Sequence, residues 1–230
     1  MSTWVRKGTR VAVIDYEMGN LFSVRHACRH VGLNAFMTSN GKDILRADAA
    51  ILPGVGAFGK AMGNLVCLDM VSPIKEFIAS GKPFMGICLG MQLLFSESEE
   101  FGVTSGLNVV EGRIVKFPPA TDPCMRVKVP HIGWSRVSCP REKADFWKRS
   151  PLSRVPSGAH MYFVHSFYPI PEDKEIILSF TTYGETAFCS CVMKDNLFAT
   201  QFHPEKSAAL GLQIYSQWGS LVRGMAARNE

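Results

Sequence analysis

Hydrophobic residues follow two rhythms that change near the middle of the chain. In the first half, short continuous apolar runs alternate with stretches in which apolar residues recur every three or four positions. Residues 10–16 (RVAVIDY), 35–38, 47–52 and 83–87 are runs of the first kind, the pattern of strands buried on both faces. Between them, Leu21, Val24, Ala27, Cys28 and Val31 line one side of a predicted helix that Gly32 stops. Residues 58–65 and 71–80 read as two more helices, the second closed by Gly81. Beyond residue 87, Leu89, Met91, Leu93, Leu94 and Phe95 predict a further helix. Buried strands separated by amphipathic helices argue for an α/β fold, a mostly parallel central sheet flanked by helices.

The second half reads differently. Residues 113–117, 127–137, 162–168, 176–183, 188–194 and 197–202 are closely spaced strand candidates, with turn residues such as Asp195-Asn196 between several of them. That spacing predicts an antiparallel extension joined to the parallel sheet. Pro118-Pro119 and residues 138–156 read as loops, with a short helix around 145–148, and a last helix is expected over 207–225. No internal repeat or low-complexity linker interrupts the pattern. We therefore expect a single domain over residues 1–230, with its core at about 11–218.

Composition narrows the functional classes. Charged residues are 20% of the chain and the formal net charge is only +5, with Arg6, Lys7 and Arg10 the nearest approach to a basic cluster. That spread gives nucleic-acid binding little support. No apolar run is long enough to cross a bilayer, and the start, MSTWVRKGTR, lacks the apolar stretch of a signal peptide, so a cytoplasmic protein is expected, with no membrane partner. The 7 cysteines are odd in number and form no C-x-x-C pair, which argues against a disulfide framework or a zinc ribbon. Most read as small buried hydrophobes. No metal or other cofactor is expected.

Cys88 is the exception. In GICLGMQ, residues 86–92, it lies between glycines at the end of a predicted buried strand. A nucleophile on a sharp strand-to-helix turn stands clear of the sheet, and small flanking residues avoid clashes there. The unpaired N–H groups of the following turn favour thiolate over thiol, and the N–H of Leu89 is placed to stabilise a tetrahedral oxyanion.

Such a cysteine needs a base, and the chain has 6 histidines. His26 and His30 share a predicted helix face at i, i+4, a spacing that can hold a metal, but no carboxylate or further ligand is patterned with them and a solvated face is expected. His131, His160 and His165 fall in strand-like segments. His203 ends the strand LFATQF, and in extended backbone the residue two places on, Glu205, points the same way and can orient the imidazole. A Cys–His–Glu relay follows if the strand ends carrying Cys88 and His203 are neighbours.

The blocks PGVGAF at 53–58, GICLGMQ at 86–92 and QFHPEKS at 201–207 resemble the signature of class I, triad-type glutamine amidotransferases. IDYEMGN at 14–20, VPHIGW at 129–134 and YFVHSFY at 162–168 narrow the resemblance to the glutaminase subunits of imidazole glycerol phosphate synthases, and the likeness runs from about Val11 to Trp218. It implies a flavodoxin-like sheet with Cys88 as nucleophile, His203 as base and Glu205 as its orienter. Glutamine would be split to glutamate and ammonia through a glutamyl thioester. The resemblance also implies that Gly54, Val55 and Gly56 belong to an oxyanion strand beside Leu89, and that Gln92 and the backbone of His165, Ser166 and Phe167 hold glutamine. The partner it implies is a (β/α)8-barrel cyclase in a heterodimer, which uses the ammonia to make imidazole glycerol phosphate in histidine biosynthesis. Met18-Gly19-Asn20 and residues 131–134 are candidate borders of that docking face.

Three positions depart from the pattern: Glu17 and Ala199 stand where glycine is usual, and Ser135 where asparagine is. The blocks NLFSV, FCSCV, FATQFHPEKS and GLQIY resemble a branch that supplies sugar amidotransferases of surface-polysaccharide synthesis, so that partner stands as the alternative. A cysteine peptidase leaves QFHPEKS, Gln92 and PGVG unexplained together. An inactive binding module would be expected to lack Cys88, His203 or Glu205.

Overall fold

The computed structural model describes residues 9–122, 124 and 127–227; Arg6 and Lys7 of the basic cluster lie outside them. The chain alternates β1 (Arg10–Ile14), α1 (Leu21–His30), β2 (Asn34–Thr38), α2 (Gly41–Leu45), β3 (Ala49–Gly54), α3 (Phe58–Cys67), α4 (Val71–Ala79) and β4 (Phe84–Cys88). A single turn, α5 (Leu89–Gln92), precedes β5 (Phe95–Ser98), β6 (Thr104–Ser105), β7 (Val110–Lys116) and β8 (His131–Val137). Then come α6 (Ala144–Lys148), β9 (Ala159–His165), β10 (Phe167–Pro171), β11 (Ile177–Tyr183), β12 (Thr186–Lys194), β13 (Leu197–Thr200) and α7 (Ala208–Ala226).

The main sheet has the order β11-β12-β13-β4-β3-β1-β2, parallel from β13 through β2 and antiparallel at β11 and β12. Because side chains alternate across a strand, β1 feeds two separate cores. Ala12 and Ile14 pack with Leu65, Ile74 and Phe77 of α3 and α4, while Val11 and Val13 join Val24 and Cys28 of α1 and Ile214 and Trp218 of α7. Every residue of β3 and β4 is buried. A sheet covered on both faces by helices explains why these strands read as continuous apolar runs rather than alternating ones.

Four expectations need correction. The apolar run after Cys88 is not a long helix: α5 stops at Gln92 and Phe95 opens a strand. Residues 89–95 are all buried, and a run without a polar face has no side to present to solvent, so the chain turns away into a second sheet. Residues 162–168 are two strands, broken at Ser166, that belong to different sheets; β9 pairs with β8, and β10 with β7. The strand foreseen from 127 starts at His131, just beyond Pro130. Only β11 and β12 extend the main sheet; β10-β7-β5-β6 and β8-β9 form sheets of their own.

The register of the main sheet positions the site. Gly54 at the end of β3 lies opposite Cys88 at the end of β4, and Ile87 lies opposite Thr200 at the end of β13. Three loops therefore leave the same edge side by side: the one after Gly54, the turn at Cys88 and the segment from Gln201 to Ser207. Ligand sites in parallel α/β sheets form at this carboxyl edge.

Candidate active site

Cys88 carries the strain of its corner itself, at φ 54 and ψ −112, in the left-handed region that non-glycine residues seldom occupy. The neighbouring glycines serve close approach instead. A β-carbon on Gly90 would collide with the Leu52 carbonyl oxygen, and one on Gly86 would come within 3.1 Å of the Gly90 oxygen and the Met91 α-carbon. Gly54 is equally confined: a β-carbon there would meet the Tyr16 hydroxyl and lie 2.9 Å from the Leu89 β-carbon. Since α5 is one turn long, its contribution beside the sulfur is that of a few local N–H groups rather than a long helix dipole.

His203 follows β13 and is 1% exposed. Its Nδ1 lies 2.8 Å from Glu205 Oε1, and both side chains are nearly inaccessible to solvent. The backbone is pinned from two sides: the His203 N–H donates to the Tyr162 carbonyl at 2.9 Å, and the Ser207 hydroxyl donates to the His203 carbonyl at 2.7 Å. The other ring nitrogen, Nε2, is buried and has no hydrogen-bond partner among the described residues. Burial alone would favour a neutral ring, but the Cys88 sulfur and then the Glu205 carboxylate outweigh it and raise the His203 pKa from 6.5 to about 10. The sulfur thus acts on the ring, although no hydrogen bond of good geometry closes between them. Cysteine reacts as the thiolate, and a protonated imidazole beside it is the electrostatic partner that form needs.

Two further groups reach the sulfur. The Val164 carbonyl oxygen of β9 lies 3.8 Å away, within reach of the thiol S–H. The amide nitrogen of Gln201 lies 3.6 Å away on another side. Gln201 is completely buried and also binds Gln92, whose Nε2 is 2.9 Å from Gln201 Oε1 and 2.9 Å from the Phe167 carbonyl. Tyr16, beyond the end of β1, donates to the Pro53 carbonyl at 2.8 Å; burial first, and the nearby Cys88 second, push its pKa upward.

The structure brings Cys88, His203, Glu205, Gly54, Leu89 and Gln92 to one edge, as the resemblance leads one to expect, and places Val55 and Gly56 on the loop leaving it. Val55 is 39% exposed and Gly56 adopts φ 106. Of the carbonyls expected to hold glutamine, two are engaged within the protein. The Ser166 oxygen accepts from the Phe117 N–H, and the Phe167 oxygen accepts from Gln92 and from His165 Nδ1 at 2.8 Å. His165 itself is buried, with its Nε2 3.1 Å from Nδ1 of His131. Gln201 and Tyr16 were not singled out from sequence, and His131 only as a strand histidine at the border of the expected docking face. For Gln201 the signal was present: Gln-Phe-His at 201–203 alternates polar, apolar, polar at the end of a buried strand, which turns Gln201 and His203 to one face and the buried Phe202 to the other.

His26 and His30 line an open cleft of about 530 Å³ with Arg25, Arg29, Ala208 and Leu212, which Glu205 also borders. Among the described residues, no three His, Cys, Asp or Glu side chains gather as a metal site. No helix there is long and apolar enough to cross a membrane.

Comparison with known proteins gives the family of the chain. The family described as Glutamine amidotransferase class-I matches residues 12–215. The chain belongs to that family. Among curated glutamine amidotransferase relatives, the imidazole glycerol phosphate synthase subunit HisH of Geobacter sulfurreducens is 45% identical over 93% of this chain and 99% of its own. The protein of the same name from Geobacillus thermodenitrificans is 42% identical over 94% of this chain and 98% of its own. In fold, the amidotransferase domain is similar to the glutaminase domain of Trypanosoma brucei CTPS, with a TM-score of 0.63 at 17% identity over 94% of this chain and 94% of that one.

The departures from the family pattern now have physical readings. Glu17 adopts φ 66, a conformation open to glycine and strained for glutamate, and its N–H donates to the Asp15 carboxylate at 3.0 Å. Ala199 is fully buried in β13 directly opposite Gly86, so its one methyl group faces a strand position that has no side chain. Ser135 places its hydroxyl 2.8 Å from His131 Nε2.

Proposed function

We propose that this chain is the glutaminase subunit of an imidazole glycerol phosphate synthase, with Cys88, His203 and Glu205 as its catalytic triad. The observation that carries the reading is the meeting of a strained, buried cysteine with a carboxylate-bound histidine at the carboxyl edge of adjacent strands β4 and β13. Full-length identity to synthase subunits supports the choice of pathway.

In this mechanism the Cys88 thiolate attacks the side-chain amide carbon of glutamine. The negative charge that develops on the oxygen is met by backbone N–H groups of Leu89 and of the loop at Val55 and Gly56. Protonated His203 gives its proton to the leaving nitrogen, and ammonia departs as the glutamyl thioester forms. The neutral imidazole then takes a proton from water, which attacks the thioester and frees glutamate. Glu205 holds the ring in one tautomer and stabilises its charged form.

Ammonia at neutral pH is mostly ammonium, which is not a nucleophile, so release is useful only into a protected path. The acceptor is a (β/α)8-barrel cyclase bound in a heterodimer, and the pair acts in the cytoplasm as a single-domain glutaminase with its synthase. Strand β8 supports a docking role: His131 points inward while Ile132 and Trp134 are 59% and 51% exposed. Exposed aromatic and aliphatic side chains next to a site are typical interface anchors.

The experiment is glutamate release from glutamine by the purified chain, alone and with a candidate cyclase. We expect strong stimulation by the cyclase and loss of turnover in Cys88→Ala. Stimulation by a sugar amidotransferase instead would transfer the chemistry to the alternative pathway, and intact turnover in Cys88→Ala would remove the nucleophile assignment.

A further inference from the structure

The orientation of one buried amide follows from an atom whose role is fixed. A backbone carbonyl oxygen only accepts, so the Gln92 atom 2.9 Å from Phe167 O is the amide nitrogen. The same nitrogen lies 2.9 Å from the Gln201 side chain, which must therefore present its oxygen. The Gln201 nitrogen is left facing the Cys88 sulfur at 3.6 Å. Reversing Gln201 would set two N–H2 groups against each other and an oxygen against the sulfur.

A second branch leaves the same carbonyl. His165 Nδ1, 2.8 Å from Phe167 O, must carry the ring proton, so Nε2 of the neutral ring is an acceptor. His131 Nδ1 then donates to it at 3.1 Å, which makes His131 Nε2 an acceptor for the Ser135 hydroxyl at 2.8 Å. Residues four apart in a straight strand are about 13 Å apart. The 2.8 Å contact of His131 with Ser135 therefore requires β8 to bend between them, where Gly133 adopts φ 140. Each donated hydrogen in the series has one acceptor, the two on Gln92 Nε2 going to Phe167 O and Gln201 Oε1, and no member can reverse alone.

We propose that Gln201 is a further catalytic residue, a fixed N–H donor to the Cys88 sulfur. Gln92 is the positioning residue that fixes that orientation, and His165, His131 and Ser135 are positioning residues for the Phe167 carbonyl to which Gln92 donates. The inference rests on Cys88 being the nucleophile. The series ends at half-buried Ser135, beside exposed Trp134 on β8, so the sulfur is tied through side chains and the shared Phe167 carbonyl to the strand that borders the proposed docking face. An asparagine amide can donate to His131 as the serine hydroxyl does, which accounts for either residue standing at 135.

The test reads the sulfur directly, without glutamine. Iodoacetamide alkylation is followed by peptide mass spectrometry at neutral pH, with exposed Cys67 and Cys124 as internal controls. Losing one donor to a charged acceptor is expected to slow Cys88 alkylation in Gln201→Leu about 10-fold while the controls stay unchanged. With glutamine, kcat is expected to fall by about 10- to 100-fold with little change in KM. Ser135→Ala is expected to slow alkylation less, by about 2- to 5-fold, and Ser135→Asn to restore it.

Wild-type alkylation and kcat in Gln201→Leu would overturn the proposal. Equal rates in Ser135→Ala and Ser135→Asn would overturn the positioning role, and this pair decides the matter if Gln201→Leu does not fold. Failure of the wild type to release glutamate with any partner would count against the glutaminase reading instead, because alkylation needs no substrate.

Discussion

Two histidine environments lie within this site, equally buried, one favouring a charged ring and the other a neutral one. His203 is 1% exposed, His131 1% and His165 6%. His203 faces a carboxylate on one side and a sulfur on the other, and its pKa is raised to about 10. His131 and His165 face each other, a serine hydroxyl and a backbone carbonyl, and burial lowers them to about 4 and about 3. Burial therefore does not decide the charge of an imidazole; what its two nitrogens touch does. In the proposed reaction the first environment would hold a proton for the leaving amine, while the other keeps protons out, so that each of its rings has one donor and one acceptor.

The contrast is broken most severely at the triad. Cys88→Ser is expected to reduce glutamate release by about 10⁴-fold or more, because a hydroxyl in place of the thiol leaves a far weaker nucleophile. Glutamate release assayed with the cyclase partner checks it. Glu205→Gln removes the carboxylate with almost no change in shape. The His203 pKa is then expected to fall from about 10 toward its ordinary 6.5, as followed by imidazole NMR, and kcat to fall by about 10²- to 10⁴-fold.

A smaller effect sharpens the contrast through stability. Below about 6.5 the unfolded chain protonates residues 131 and 165, while the folded chain resists until about 4 and about 3. The unfolded state binds more protons across that window, so stability falls on acidification. His203 works in the opposite sense: its contribution is fully present below 6.5 and is lost as pH rises toward about 10. Urea unfolding across both windows is expected to show a loss of a few kcal/mol, on the order of 2–4, on the acid side. His165→Gln, which cannot be protonated, should flatten the acid slope and leave the alkaline one unchanged.

The smallest expected effect lies at the edge of the site. Glu17→Gly relieves a left-handed backbone and is expected to raise stability by about 0.5–1 kcal/mol, seen as a higher urea midpoint at unchanged slope.

The parallel sheet was legible because β1, β3 and β4 are buried on both faces and read as unbroken apolar runs. The second sheet was not. Its strand β5 is FSES and β6 only two residues, Thr104–Ser105, too short and polar to show a period. The five-residue α2 opens on Gly41 and has a single buried residue, Ile44, so no helical spacing marks it. The proposed triad could be put forward from sequence because its residues lie in two contiguous blocks. The link from Gln201 to Gln92 and on to Phe167 joins residues far apart in the chain, which local pattern does not register. Glu17, Ser135 and Ala199 stood out as departures, but only packing supplied their reasons.

The central claim is that the Cys88 sulfur takes the glutamyl group. It is tested most directly by acid-quenching the protein during turnover of glutamine with its cyclase partner and mapping covalent adducts by peptide mass spectrometry. One glutamyl group, held as a thioester, is predicted on the peptide that contains Cys88. A glutamyl group on Cys67 or Cys124, or steady glutamate release with no adduct at Cys88 at any quench time, would contradict it.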